Sequence, residues 1–175
     1  DFNWAQAQLD ILKASTSKLI SNDAIDLSLL ITDNFNMDTI TAPMEMFARA
    51  DLLRYRNQLD EALTTLDSLI VAYPMHTLED EILLIRAEIA LQRGQFDTAI
   101  GHYEEILELH FMDILADDAL FGLADLHEHQ LEAPDVAQGM YERLLNEFPG
   151  SLYAVEARKR FRQLRGDILE KASRP

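Results

Sequence analysis

The stretch AEIALQRGQFDTAIGHYEEI, residues 87–106, contains the pattern that decides the fold. A first helix-compatible segment carries a small residue, a turn with one glycine follows, and a second segment carries alanine and, four places later, a large residue. The two alanines recur in three copies, as Ala50 and Ala62, Ala87 and Ala99, and Ala124 and Ala137. The spacing is 37 residues throughout, except that Ala137 comes one residue late. A fixed period of this length is typical of a repeat array.

Each repeat is predicted to be a helical hairpin. Small residues let two helices approach closely, and the large residues Leu66, Tyr103 and Tyr141 fill the space beside them. Two repeats end near Pro74 and Pro149, which cannot continue a helix. The sequence therefore predicts an all-α protein.

These motifs resemble those of the tetratricopeptide repeat family over roughly residues 42–166. The family pattern A-x3-F…P stands here as Ala62-x3-Leu66…Pro74 and Ala137-x3-Tyr141…Pro149. Residues 93–99, RGQFDTA, are similar to the turn between the two helices of the family's repeat.

The chain departs from the family pattern at several positions. Phe111 stands where the middle repeat would have its proline, and Met46, Leu83 and Leu120 replace the family's first aromatic residue. The period also exceeds the usual 34 residues. The resemblance implies an α-solenoid, a right-handed superhelix of helical hairpins with about nine helices.

Apolar periodicity and turn residues indicate where the helices lie. Thr41 is predicted to cap a helix with Pro43 in its first turn, and Ser21 and Ser151 are predicted to cap two others. The predicted helices are 2–19, 22–33, 42–56, 59–73, 78–93, 96–110, 114–129, 134–147 and 151–166.

The repeats predict five segments along the chain. Residues 42–77, 78–113 and 114–150 are three repeats, and residues 151–175 form a capping helix with a basic tail. Residues 1–41 comprise the second half of a preceding repeat and an inserted helix, since FNWA at residues 2–5 resembles FDTA at residues 96–99. We therefore expect a piece of a longer bacterial repeat protein, the alternative being a processed mature N-terminus. For the insert at residues 20–41, a structural helix, a contact site and a mobile segment remain open.

Charge is distributed unevenly along the chain. The net charge is −16, and residues 158–175 hold seven of the 15 basic residues and two of the 31 acidic ones. The tail is thus +5 and residues 1–157 are −21. This acidity excludes non-specific nucleic-acid binding by the body of the chain, because phosphates need cations. It favours basic partners.

One set of residues is a candidate partner-binding groove. The resemblance implies that the first helices of the repeats line the concave side, where ligands of the family usually lie. On each of these helices, an acidic residue directly follows the packing alanine. An apolar residue lies three positions before that alanine, and a further residue of variable type lies three positions after the acid. The predicted site comprises Phe47, Asp51, Arg54, Leu84, Glu88, Leu91, Phe121, Asp125 and Glu128. Such a groove suits a peptide or protein with basic and apolar residues, whereas the alternative is helix packing with solvated acids.

The basic tail has three open interpretations. Arg158, Arg162 and Arg165 share a helix face by their spacing. They suit a solvated capping helix, a head-to-tail contact with the acidic groove of a second copy, or a contact with phosphate or an anionic membrane.

The sequence contains no motif for catalysis or for a cofactor. It lacks a phosphate-binding glycine loop, a His-Glu-x-x-His motif and cysteine. His127 and His129 lie on different helix faces, and so do the members of the pairs Asp117-Asp118 and Glu104-Glu105, so neither a metal site nor acid–base chemistry is predicted. No apolar run is long enough to insert into a membrane.

The predicted function is a non-enzymatic scaffold for protein–protein interaction. The alternative is an accessory or regulatory domain of a larger enzyme or signalling protein. The resemblance includes bacterial scaffolds of the cell envelope, and the sequence leaves both the periplasm and the cytoplasm open.

Overall fold

The computed structural model of the chain describes residues 2–14, 18–35, 40–74 and 76–166. The described residues form nine helices and no strand, which confirms the predicted all-α class. The helices are α1 Phe2–Leu12, α2 Lys18–Phe35, α3 Ala42–Tyr55, α4 Leu59–Ala72, α5 Glu79–Gln92, α6 Phe96–Leu109, α7 Ala116–His129, α8 Pro134–Glu147 and α9 Ala154–Leu164.

Contacts divide the chain into two compact units, Asp1–Glu79 and Asp80–Pro175. The first unit contains α1 to α4. The second contains α5, except for its first residue, and α6 to α9. We call α3, α5, α7 and α9 the first helices and α4, α6 and α8 the second helices.

The beginning of the first unit differs from the prediction. A single helix over residues 2–19 was expected, but α1 ends at Leu12 and α2 begins at Lys18. Residues 15–17, Ser-Thr-Ser, favour hydrogen bonds that compete with a helix, and they lie outside the described residues. Ser21 does not cap α2 but lies inside it, where its hydroxyl donates to the Lys13 carbonyl at 2.8 Å.

The predicted helix 22–33 also differs from α2, which begins at Lys18 and continues to Phe35, and residues 36–39 lie outside the described part. α1 and α2 pack against each other, and Leu9, Ala24 and Ile31 are buried. The Gln6 amide donates to the Ser28 hydroxyl at 2.6 Å.

The three hairpins α3–α4, α5–α6 and α7–α8 share the same helix length and differ in one turn. The first two turns have three residues, 56–58 and 93–95, and the third has four, 130–133. Each contains one residue in the left-handed region, namely Asn57 (φ 60°), Gly94 (φ 68°) and Glu132 (φ 50°). The extra residue of the third turn explains why Ala137 comes one residue late.

The repeat alanines lie in the cores of their units. All six are fully buried. In the second unit, Ala87 clusters with Tyr103 and Ile106 of α6 and also with α7, whereas Ala99 clusters with Ala90 and Leu126. The predicted contact between the two helices of the middle repeat is therefore present, and α7 covers it.

The helix starts confirm one predicted cap position and contradict another. Thr41 occupies the N-cap position of α3, with a proline in the first turn, but its side chain makes no capping hydrogen bond. The predicted start of the last helix at Ser151 is three residues early, since α9 begins at Ala154. The Ser151 hydroxyl instead accepts a hydrogen bond from the Tyr153 backbone N–H at 3.0 Å, forming a turn. Residues 167–175 of the basic tail lie outside the described residues.

Ala99→Leu should destabilise the protein by about 1–3 kcal/mol, because the added atoms overpack a fully buried site between helices. Gly101→Ala on the same helix is the control. A methyl group there has no neighbour within 4 Å, so better helix propensity should stabilise the protein by up to about 1 kcal/mol. Thermal and urea unfolding would measure both. An unfolding midpoint of Ala99→Leu equal to that of the wild type would contradict this packing.

Candidate functional site

The nine residues of the predicted groove lie on three first helices. Phe47, Asp51 and Arg54 are on α3, Leu84, Glu88 and Leu91 are on α5, and Phe121, Asp125 and Glu128 are on α7. The first three belong to one compact unit and the other six belong to the second.

The apolar members of this set contribute to the cores. Phe47 is buried, with 5% of its surface exposed. Leu84 and Leu91 are half-buried and pack against the cluster that contains Ala87. Phe121 stacks on Tyr153, with 4.5 Å between ring centroids. These side chains therefore offer only their exposed edges to a partner.

Asp51 and Arg54 form an ion pair on α3. The Arg54 Nε and Nη2 atoms both donate to Asp51 Oδ1, at 2.9 and 2.7 Å. The two opposite charges therefore compensate each other on this helix.

In the second unit, a buried tyrosine of α6 packs directly against α7. Tyr103 is 3% exposed and crosses α7 at Gly122, where a Cβ atom would lie only 2.8 Å from the tyrosine Cζ and hydroxyl. Asp118 and Asp125 lie four residues before and three after this glycine and share its face of α7. Burial, and then the charges of Glu88, Asp125 and Asp118, raise the pKa of Tyr103. We call Tyr103, Glu88, Asp118, Asp125 and Gly122 the Tyr103 site.

A second tyrosine, on α8, bonds to a carboxylate that also accepts from a guanidinium. Tyr141 is fully buried, and its hydroxyl donates to Glu128 Oε2 at 2.9 Å. Arg160 of α9 donates from Nη1 to Glu128 Oε1 at 3.3 Å and from Nε to Glu156 Oε1 at 2.9 Å. Burial, the hydrogen bond to Glu128, and the charges of Glu128 and Asp125 raise the pKa of Tyr141, and Arg160 opposes this rise. We call Tyr141, Asp125, Glu128, Glu156 and Arg160 the Tyr141 site.

His129 lies close to two members of the Tyr141 site, Arg160 and Asp125. Its Nε2 atom lies 3.0 Å from Arg160 Nη1 and 3.4 Å from Asp125 Oδ1. Because a guanidinium can only donate, Nε2 is the acceptor when His129 bonds to Arg160. The guanidinium is thus held by groups from both α7 and α9.

Asp118 is oriented by the segment that precedes α9. The Tyr153 hydroxyl donates to Asp118 Oδ1 at 2.7 Å, and the Tyr153 ring stacks on Phe121. This carboxylate is therefore preorganised at the surface of α7.

The sequence pattern missed Tyr103, Tyr141, Asp118 and Arg160 as members of these sites. The tyrosines were interpreted as space-filling residues, and Asp118 only as a member of an adjacent acidic pair without acid–base chemistry. The sequence does contain a signal for the two tyrosines. The first repeat has Leu66 at the same position, which shows that an apolar residue fills this space, whereas a buried tyrosine hydroxyl usually has a hydrogen-bond partner.

The described residues contain no group of three or more His, Cys, Asp or Glu side chains that could hold a metal ion. A depression of about 310 Å³ in the first unit is lined by Arg49, Leu53, Asp60, Glu61, Thr64 and Thr65. The Thr64 and Thr65 hydroxyls donate to backbone carbonyls at 2.8 Å, so they are not poised as nucleophiles. Within the part of the chain that the structure describes, no helix is both long and apolar enough to cross a membrane.

The two tyrosines should differ in their contribution to stability. Tyr141→Phe should destabilise the protein by about 1–2 kcal/mol, because it leaves part of Glu128 without its donor. Tyr103→Phe should change stability by less than about 0.5 kcal/mol, since among the described residues the Tyr103 hydroxyl makes no hydrogen bond. Urea unfolding measures both, and equal losses would contradict the difference between the sites.

Comparison with known proteins identifies the fold. A model of the tetratricopeptide repeat matches residues 47–110 and 84–151. The chain is also similar in structure to a tetratricopeptide repeat protein from Parabacteroides merdae ATCC 43184, solved by crystallography at 2.39 Å, with a TM-score of 0.55 and 15% sequence identity. This similarity covers 95% of the present chain and 60% of the other, so the present chain spans less than two thirds of that protein.

A search of curated proteins gave no significant match. The family match nevertheless spans more than half of the chain, and the structural neighbour has the same helical-repeat fold. The predicted α-solenoid class is therefore confirmed, and the chain belongs to the tetratricopeptide repeat family.

Proposed function

We propose that this protein is a non-catalytic scaffold that binds a peptide or protein partner along its first helices. Tetratricopeptide repeats generally mediate protein–protein interaction. The partner proposed here carries basic and apolar residues, because the surface available to it is acidic with apolar edges.

The observation that carries the proposal is the position of three acids on the first helices of the second unit, Glu88 on α5 and Asp118 and Asp125 on α7. These acids come from two successive first helices, so a segment crossing both would meet them together. The excess of negative charge over residues 1–157 would steer a basic partner toward the chain. The half-exposed Leu84, Leu91 and Phe121 would add apolar contacts.

The predicted residues on α3 belong to the first unit and are weaker candidates. Asp51 is bonded to Arg54, so this pair would offer little net charge to a basic ligand. Phe47 is buried and would support α3 rather than touch the partner.

The proposed head-to-tail self-association through the basic tail stays a prediction. Arg158 and Arg162 are exposed on α9, whereas the Arg165 guanidinium lies 5.2 Å from the Phe161 ring centroid.

The test uses a 15-residue synthetic peptide of lysine and leucine as the probe. Glu88→Gln combined with Asp125→Asn should weaken its binding about fivefold or more, because exposed charge pairs contribute up to about 1 kcal/mol each. Binding to the wild type should also weaken as salt rises, since screening acts over about 8 Å at physiological ionic strength. Fluorescence anisotropy of the labelled peptide measures both effects.

The matched control is Glu104→Gln combined with Glu105→Gln, which removes the same charge from exposed positions of the second helix α6. It should change the affinity less than twofold. Equal losses in the two double variants would mean that the peptide responds only to total charge, and the proposed binding face would be wrong.

A further inference from the structure

The last helix, α9, differs in charge from every other helix that the structure describes. It carries four basic residues and one acidic residue, whereas each of α1 to α8 is neutral or negative. Two of its cations are used within the helix, since Arg160 and Lys159 bond to Glu156 at 2.9 and 3.1 Å. Arg158 and Arg162 are exposed, and neither has a partner among the described residues.

The equivalence of successive repeats explains why these two arginines lie on an open face. α9 follows α7 by 38 residues, so Arg158 and Arg162 correspond to Leu120 and Ala124. Both of the latter are fully buried in one cluster with Ala137 of α8, the second helix of the same repeat. The described residues contain no helix after α9, and an arginine at the position of a crossing alanine would overpack a closely packed second helix. This face of α9 therefore suits contacts between charged side chains.

The outer face of α6 has the opposite charge. α6 is the most acidic of the three second helices, because it contains Asp97, Glu104, Glu105 and Glu108 but no lysine or arginine. All four acidic residues are exposed. Glu104 and Glu108 lie four residues apart, and like charges at this spacing on one helix face repel each other. Cations from outside the helix would relieve this repulsion.

The basic and acidic pairs have the same spacing. Arg158 and Arg162 are also four residues apart, which is a rise of about 6 Å along a helix, as it is for Glu104 and Glu108. When α9 and α6 lie antiparallel in this register, the first arginine faces the second glutamate and the second arginine faces the first glutamate. Two opposite-charge pairs then replace two repulsive contacts.

Exposed apolar residues lie at the matching ends of the two faces. Val155 precedes Arg158 by three residues and is 76% exposed, and Met112 follows Glu108 by four residues and is 90% exposed. In the antiparallel register both lie beyond the same charge pair, so docking would remove both from water. Burial of apolar surface favours association, and the charge pairs fix its register.

We propose that the face of α9 formed by Val155, Arg158 and Arg162 docks antiparallel on Glu104 and Glu108 of α6 in a second copy of the protein. The inference rests on the self-association included in the proposed function, and it is independent of the peptide-binding face on the first helices. The second copy is the occupant because the chain itself carries the acidic face with the matching spacing. Salt screening over about 8 Å weakens the general repulsion between two chains of net charge −16 but acts less on close pairs.

Sedimentation equilibrium of the full chain at physiological salt tests the proposal. The average mass of the wild type should rise above 20.0 kDa as the protein concentration increases. Arg158→Glu combined with Arg162→Glu should weaken association about tenfold or more, because two attractive pairs become repulsive. Glu104→Arg combined with Glu108→Arg should do the same, and all four substitutions together should restore association because the pairs form again with opposite sign.

The matched control is Asp135→Arg combined with Glu142→Arg, which makes the same change of charge at exposed positions of α8. It should not weaken association, because it lowers the general repulsion between copies without touching the docked faces. Circular dichroism checks that each variant keeps its helices. A wild type that stays monomeric at every concentration would overturn the proposal, and so would a fourfold variant that stays dissociated or a control that dissociates.

The outcome is separable from that of the peptide test. The variant with Arg158→Glu and Arg162→Glu keeps Glu88 and Asp125, so the lysine–leucine peptide can be titrated into it. If the peptide binds this variant and the wild type does not associate, only the docking of two copies is wrong. If the wild type associates as described and the peptide does not bind, the peptide-binding face is wrong and the docking stands.

Discussion

The close approach of helices at the repeat alanines is the constraint on which the rest of the structure depends. Ala87 and Ala99 are fully buried in the second unit, and Ala124 and Ala137 repeat this arrangement. A larger residue at such a crossing would separate the helices and leave voids that close-packed interiors do not tolerate. The tyrosines of α6 and α8 can contact the next first helix only because these helices lie close together.

The tyrosines of α6 and α8 add polar groups to this packing. The Tyr141 hydroxyl reaches from a second helix, through the core, to the Glu128 carboxylate of a first helix. At Tyr141 the hydroxyl, Glu128 and Arg160 form a closed network at the C-terminal end of the second unit. At Tyr103 the ring packs directly on Gly122 of α7. One repeat therefore uses its tyrosine to bond to a carboxylate that also holds the last helix, and the other uses it to fill the space beside a glycine.

Much of the fold follows from the sequence because the period of the alanines and the helix length are local properties. The boundaries of α3 to α8 lie within two residues of the prediction for this reason. The prediction failed where side chains bond to nearby backbone, as at Ser21 and Ser151, since a serine before an apolar run equally suits a cap or a turn. It also failed for Arg160, because its partners lie 32 and 4 residues away and only the folded chain brings them together.

The central claim is that the hydroxyl of Tyr141 is bonded to a carboxylate of the preceding first helix, whereas the hydroxyl of Tyr103 is packed against α7 without such a bond. Two double-mutant cycles measured by urea unfolding test it directly, one with Tyr141→Phe and Glu128→Gln and the other with Tyr103→Phe and Glu88→Gln. The account predicts a coupling energy of about 1 kcal/mol for the first pair, because a hydrogen bond joins the two side chains. For the second pair it predicts coupling below about 0.5 kcal/mol, within the range of independent sites. Equal coupling in the two cycles would contradict the account.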